Sequence, residues 1–150
     1  MDPNFFDMVN LAFCTAINSI CGKEKAEKIF ERAGEIIFSL IKEDVMGENP
    51  IATLKNIARY LERSGYMERI EIKEMENELQ LDMYGVSVLR SSDKLVKSNM
   101  TPSHIMTNTM FAALRDAGIK AELMELEIEV EKGHVKEIWI LKRGNDLYKK

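Results

Sequence analysis

Between Met124 and Glu131 the chain alternates without a break: Met124, Leu126, Ile128 and Val130 are separated by Glu125, Glu127, Glu129 and Glu131. A period of two belongs to the β-strand, whose successive side chains point to opposite faces, so this segment predicts a strand with one dry face and one charged face. Lys132-Gly133-His134 then turns the chain into Val135 to Leu141 and closes a hairpin. On the returning strand Ile138 and Ile140 share one face and Trp139 and Leu141 the other, which requires cover on part of its second face as well. The four glutamates read as a solvated face that also discourages edge-to-edge aggregation, in preference to a cation site or a pair of catalytic carboxylates.

A second hairpin lies earlier. Ile70 and Ile72 alternate with Glu71 and Lys73, Leu79, Leu81 and Met83 alternate with Gln80 and Asp82, and Glu76-Asn77 makes the turn. Three helices precede it. From Asn4 to Cys21 the polar residues Asn4, Asp7, Asn10 and Asn18 gather on one side of a helical wheel, which predicts a mostly buried helix ended by Gly22. Ile29, Phe30, Ala33, Ile36, Ile37, Leu40 and Ile41 give the helix from Lys23 to Glu43 one core-facing stripe. Asn49-Pro50 supplies an N-cap and a proline for a third helix, stopped at Gly65. Thr101-Pro102 opens the long fourth helix by the same logic, with Gly118 at its end, while Arg90 to Asn99 between the hairpin and that helix takes no assignment. The expected fold is α+β: an N-terminal three-helix segment, a β-hairpin, a long helix and a C-terminal β-hairpin, with one antiparallel sheet packed on helices. A chain of 150 residues suits one domain with a single core, spanning residues 1-150.

Composition excludes several function classes. The longest charge-free run, Met8 to Gly22, is too short and too polar to span a bilayer, and the first residues carry no Lys or Arg to begin a secretory signal, so a cytoplasmic protein without membrane contact is expected. A net charge of -4 opposes nonspecific attraction to phosphate backbones, and no nucleic-acid partner is expected. Cys14 and Cys21, seven residues apart on one predicted helix, are about 10 Å apart at ~1.5 Å rise per residue and cannot pair. Both read as buried structural thiols.

The search for chemistry returns little. The eight glycines form no phosphate-binding loop, there is no CxxC or HExxH, and His104 and His134 fall on different elements. No catalytic residue, metal site or cofactor is nominated. His104, at the start of the fourth helix, reads as a neutral, hydrogen-bonded structural histidine, because the positive end of the helix dipole disfavours imidazolium.

The element order, with Thr101-Pro102-Ser103-His104 opening a helix that ends at Gly118 before a Glu-rich strand, a Gly133 turn and a last strand, resembles the 4-vinyl reductase domain family. That family shares its α/β fold with the vesicle-tethering TRAPP subunits. Its long helix commonly opens with a Cys-His pair, and two cysteines bracket the turn of its closing hairpin. Here His104, Gly118 and Gly133 match, Ser103 replaces the first cysteine, and the hairpin cysteines would fall near Glu129 and Glu137. The cysteine set associated with metal is therefore missing. What the resemblance implies is a sensor or carrier domain that forms homodimers and holds a small hydrophobic molecule between helices and sheet. Phe13, Phe30, His104, Met106 and Met110 are the ligand-binding residues expected on that basis, and a homodimer interface is expected on the first two helices.

Two other readings compete. The helix from Pro50 to Ser64 followed by the hairpin Ile70 to Met83 imitates the recognition helix and wing of a winged-helix DNA-binding regulator, against which stand the acidic residues of the wing. The apolar excess of the helices equally suits a pure protein-assembly module.

Overall fold

The computed structural model describes residues 2–143 and Leu147. Helices α1 (Pro3–Cys21), α2 (Lys23–Val45) and α3 (Pro50–Arg63) are followed by β1 (Arg69–Met75), β2 (Glu78–Tyr84), α4 (Leu89–Lys97), α5 (Ile105–Asp116), β3 (Ile119–Glu129) and β4 (His134–Arg143). The strands form one antiparallel sheet in the order β1-β2-β4-β3. This is the expected α+β architecture, and its local causes are those anticipated. Asn49 Oδ1 accepts the Ala52 N–H at 2.9 Å ahead of Pro50, and Gly22, at φ 82°, separates α1 from α2 while donating its N–H to Asn18.

The core fills the space between one sheet face and the helices α2, α3 and α5. Leu79, Leu81 and Trp139 from the sheet are fully buried against Leu54 and Ile57 of α3 and Met110 of α5. Helices α2 and α5 cross at close range because Gly34 has no side chain: a Cβ there would lie 2.5 Å from the carbonyl carbon of Asn108. The hairpin β1-β2 is half of the sheet, since the second edge of β2 pairs with β4, so it is not a free wing beside α3.

Four expectations need correction. Helix α1 is inside out relative to a mostly buried helix: Asn18 and Cys14 face the protein, whereas Phe5, Met8, Phe13 and Ile20 are exposed. The reason is that the surface it covers is mixed: Leu11, Cys14 and Ile17 pack with Ala26 and Phe30 of α2 and Leu95 of α4, while Asp7, Asn10 and Asn18 bond to α4 and to the segment before α5. The unassigned stretch 90–99 is mostly helix α4, whose inner face carries Leu89 and Leu95 but also buried Ser91, which weakens its apolar signature. Helix α5 begins at Ile105 and not at Thr101-Pro102, because α1 side chains capture the intervening backbone. Finally, Met124 is the extra residue of a β-bulge between Leu123 and Glu125, so it is exposed while Leu126 and Ile128 turn inward, and Val130 lies in a short 3-10 turn beyond the strand.

Candidate functional site

The segment 101–104 is where the helices and the sheet are tied together. Asn18 Nδ2 donates to the Thr101 carbonyl at 2.9 Å and Asn18 Oδ1 accepts the Thr101 N–H at 3.0 Å. Asn10 Oδ1 accepts from Ser103 Oγ at 3.1 Å, Asn10 Nδ2 donates to Ser91 Oγ at 2.8 Å, and Asn108 Nδ2 donates to the Ser103 carbonyl at 2.9 Å. Held at both ends, the chain enters α5 through His104 at φ 45°, a left-handed conformation uncommon for residues with a side chain, which Asn77 and Asn99 also adopt. The consequence is positional, since the imidazole is set at the junction of two cavities.

The larger cavity is a cleft of about 800 Å³ between α2, α5 and the start of β3. Its apolar wall includes Phe30, Phe111 and Leu123, and Glu27, Glu31 and Glu35 project along its α2 side. Arg115 pairs with Glu35 at 3.5 Å, and Glu27 and Glu31 have no ion-pair partner among the described residues. The smaller cavity, about 40 Å³, lies between the sheet and the helices α4 and α5, with Tyr66, Met83, Leu126 and Glu137 among its walls. His104 and Thr107 line both.

Glu137 is the least expected of these groups. It alternates with Val135, Trp139 and Leu141 on the covered face of β4 and is 3% exposed. Thr107 Oγ1 lies 2.7 Å from its Oε1 and 2.9 Å from its Oε2, and Trp139 Nε1 donates to Oε1 at 2.8 Å. Trp139 in turn meets Phe111 edge to face, with ring centroids 4.7 Å apart, so the cleft wall and the carboxylate are joined by direct contact. Burial, and after it the Glu137 and Cys14 charges, pushes the Tyr66 phenol far above the usual tyrosine range. Burial also pushes His104 below its ordinary value of 6.5, against the opposing pull of Glu137 and Glu27. The imidazole is thus held neutral, although among the described residues its ring makes no hydrogen bond.

The expected ligand-binding residues separate into three groups. Phe30 and His104 come together on the wall of the cleft. Met106 lines the small cavity, and Met110 is fully buried in the core behind it. Phe13 stands apart: it is 64% exposed on α1 and lines neither cavity. Sequence reasoning missed Tyr66, Thr107 and Glu137. For Glu137 a signal existed, because it has the same parity as Trp139 and Leu141 on a strand whose second face needs cover.

Among the described residues no three His, Cys, Asp or Glu side chains are grouped to hold a metal ion, and no helix is long and apolar enough to cross a membrane. No family model and no curated protein matches the chain. Among solved structures it is similar to the Fe(II) unliganded H-NOX protein from K. algicida, with a TM-score of 0.50 and 16% identity over 83% of this chain. A point mutant of the same protein gives a TM-score of 0.48 at 16% identity over 79% of this chain. The chain spans 66% and 64% of those two proteins, respectively. At this identity the likeness concerns the fold.

Proposed function

We propose that the chain is a small-molecule-binding domain of the sensor or carrier kind, acting as a homodimer, with a largely apolar ligand in the cleft between α2, α5 and β3. The observation that carries this reading is the convergence of two cavities on His104, a left-handed residue whose segment is held by three asparagine side chains, Asn10, Asn18 and Asn108, and whose ring none of them hydrogen-bonds. Backbone strain of this kind is retained where a position matters more than its cost. The apolar wall of Phe30, Phe111 and Leu123 suits the body of an amphiphile, and concave, partly apolar sites with a few converging polar groups are the common form of ligand pockets.

The reading agrees with the resemblance to 4-vinyl reductase domains, and the fold is one that an H-NOX protein also uses. The iron named for that protein is not carried over to this chain. The second copy is assigned to the outward stripes of α1 and α2, where Phe13, Ile20, Ile36 and Leu40 are exposed.

Native mass spectrometry of the protein as purified tests the ligand. A co-purifying lipophilic mass, lost in a Phe111→Glu variant that still folds, is the expected result. Retention of that mass in the variant would move the ligand out of the cleft.

A further inference from the structure

We propose that the ligand of the cleft bears a protonated amine, and that this amine reaches Glu137. The inference rests on the cleft being a ligand site and adds the charge of what it takes. A buried carboxylate without a cation is among the costliest arrangements a protein retains, and buried charges are ordinarily paired. Glu137, at 3% exposure, has only neutral donors, the Thr107 hydroxyl and the Trp139 indole. The Thr107 hydroxyl has one proton for two oxygens, so two donors serve a group with about four acceptor sites. None of the ion pairs among the described residues includes Glu137.

The space beside it has the matching size. The small cavity of about 40 Å³ admits a group such as an ammonium, since about 10–15 Å³ on that measure already holds one water. Tyr66 and His104 face the same cavity, and neither side chain has a hydrogen-bond partner among the described residues. A phenol and a neutral imidazole both offer lone pairs, so an ammonium placed there can donate to Glu137 and to one or both of them. The approach is acidic as well: Glu27 and Glu31 border the cleft unpaired, and an anionic ligand would meet repulsion at the rim and again at Glu137. The apolar body then lies on Phe30 and Phe111, and the amine passes between His104 and Thr107, which line both cavities.

Three probes of equal length, n-octylammonium, n-octanol and n-octanoate, titrated into the full chain by calorimetry near neutral pH, decide the point. Octylammonium is expected to bind at least tenfold tighter than octanol, with octanoate weakest. In Glu137→Gln, which keeps the shape and the Thr107 contact, that preference should shrink to the several-fold part supplied by the rim glutamates while octanol binding stays. Should Glu137→Gln fail to fold, the rim variant Glu27→Gln/Glu31→Gln serves, with octylammonium affinity falling several-fold and octanol affinity unchanged. Octanol binding as tightly as octylammonium overturns the amine and leaves the cleft reading intact. Binding of none of the three overturns both, and an undiminished preference in Glu137→Gln removes Glu137 from the site.

Discussion

Asn18 and Thr101 exchange a pair of hydrogen bonds, at 2.9 and 3.0 Å, in the way two residues of neighbouring antiparallel strands do, although one partner is a side chain on a helix. That amide therefore completes the backbone pairing of a segment that belongs neither to a helix nor to the sheet. It also fixes where α5 starts and how His104 enters it.

Asn18→Leu keeps the branched shape and removes the pair. Two backbone groups of Thr101 are left buried and unsatisfied, and each such group costs about 1–3 kcal/mol. We expect a loss of about 2 kcal/mol or more in denaturant unfolding, where an ordinary surface change on α1 has almost no effect. Unchanged stability would mean that water replaces the amide.

Gly34→Ala tests the crossing of α2 on α5. In an exposed helix this change is mildly stabilising, since glycine is a poor helix former. Here the new methyl would fall 2.5 Å from the Asn108 carbonyl carbon, so the helices must separate, and overpacking of this kind costs about 1–3 kcal/mol. The two mechanisms predict opposite signs of the change in melting temperature. We expect the decrease.

The same crossing shows what a sequence displays and what it hides. The strands were legible because their apolar residues alternate: Leu79, Leu81 and Met83, then Val135, Trp139 and Leu141, point inward as periodicity requires. Asn49-Pro50 placed the start of α3 correctly because the cap and the proline act locally. Helix α1 was misread because its covered face is mixed: Leu11, Cys14 and Ile17 do turn inward, but beside them Asp7, Asn10 and Asn18 bond to Ser91, Ser103 and Thr101, which periodicity cannot foresee. The beginning of α5 was hidden for the same reason, since the α1 groups that hold Thr101 and Ser103 lie more than eighty residues earlier in the chain. Of the candidate site, Phe30 and His104 were found through family resemblance. Glu137 was visible only as a charge on the wrong side of a strand.

His104 gives a pH dependence whose sign follows from burial. Its folded value lies below the ordinary 6.5, so the unfolded chain binds a proton that the folded chain resists. The contribution of the neutral imidazole to stability is therefore fully present above 6.5 and declines as the pH falls from there toward the folded value. Melting temperatures taken from about pH 7.5 to about pH 5 should fall on the acid side, and His104→Asn should flatten that slope. A slope that persists in the variant would have to come from another group.

The thiols should differ. Burial raises the Cys14 thiol, against weaker opposing hydrogen bonds from Ser103, and its side chain is enclosed, whereas Cys21 is half-buried near the end of α1. Native labelling with a thiol reagent should modify Cys21 first, with Cys14 following only on unfolding. Equal rates would show α1 lifting from the protein.

The exposed side of α1 bears on assembly. Phe13 and Ile20 are 64% and 84% exposed, so a charge placed on either is solvated in a single protomer and costs its fold little. If a second copy covers them, the same charge is buried at a two-fold interface and meets its own image across the axis, which is doubly unfavourable. Phe13→Asp and Ile20→Asp are therefore expected to halve the mass seen by light scattering at micromolar concentration while leaving circular dichroism and thermal unfolding of the protomer in place. Ile57→Asp, at a fully buried position of α3, should instead unfold the chain, which separates loss of the interface from loss of the core. A parent protein already at the mass of one chain would sink the homodimer. A dimer that survives both substitutions would take α1 out of the interface and leave its α2 part, the exposed stripe Ile29, Ile36 and Leu40, as the next surface to charge.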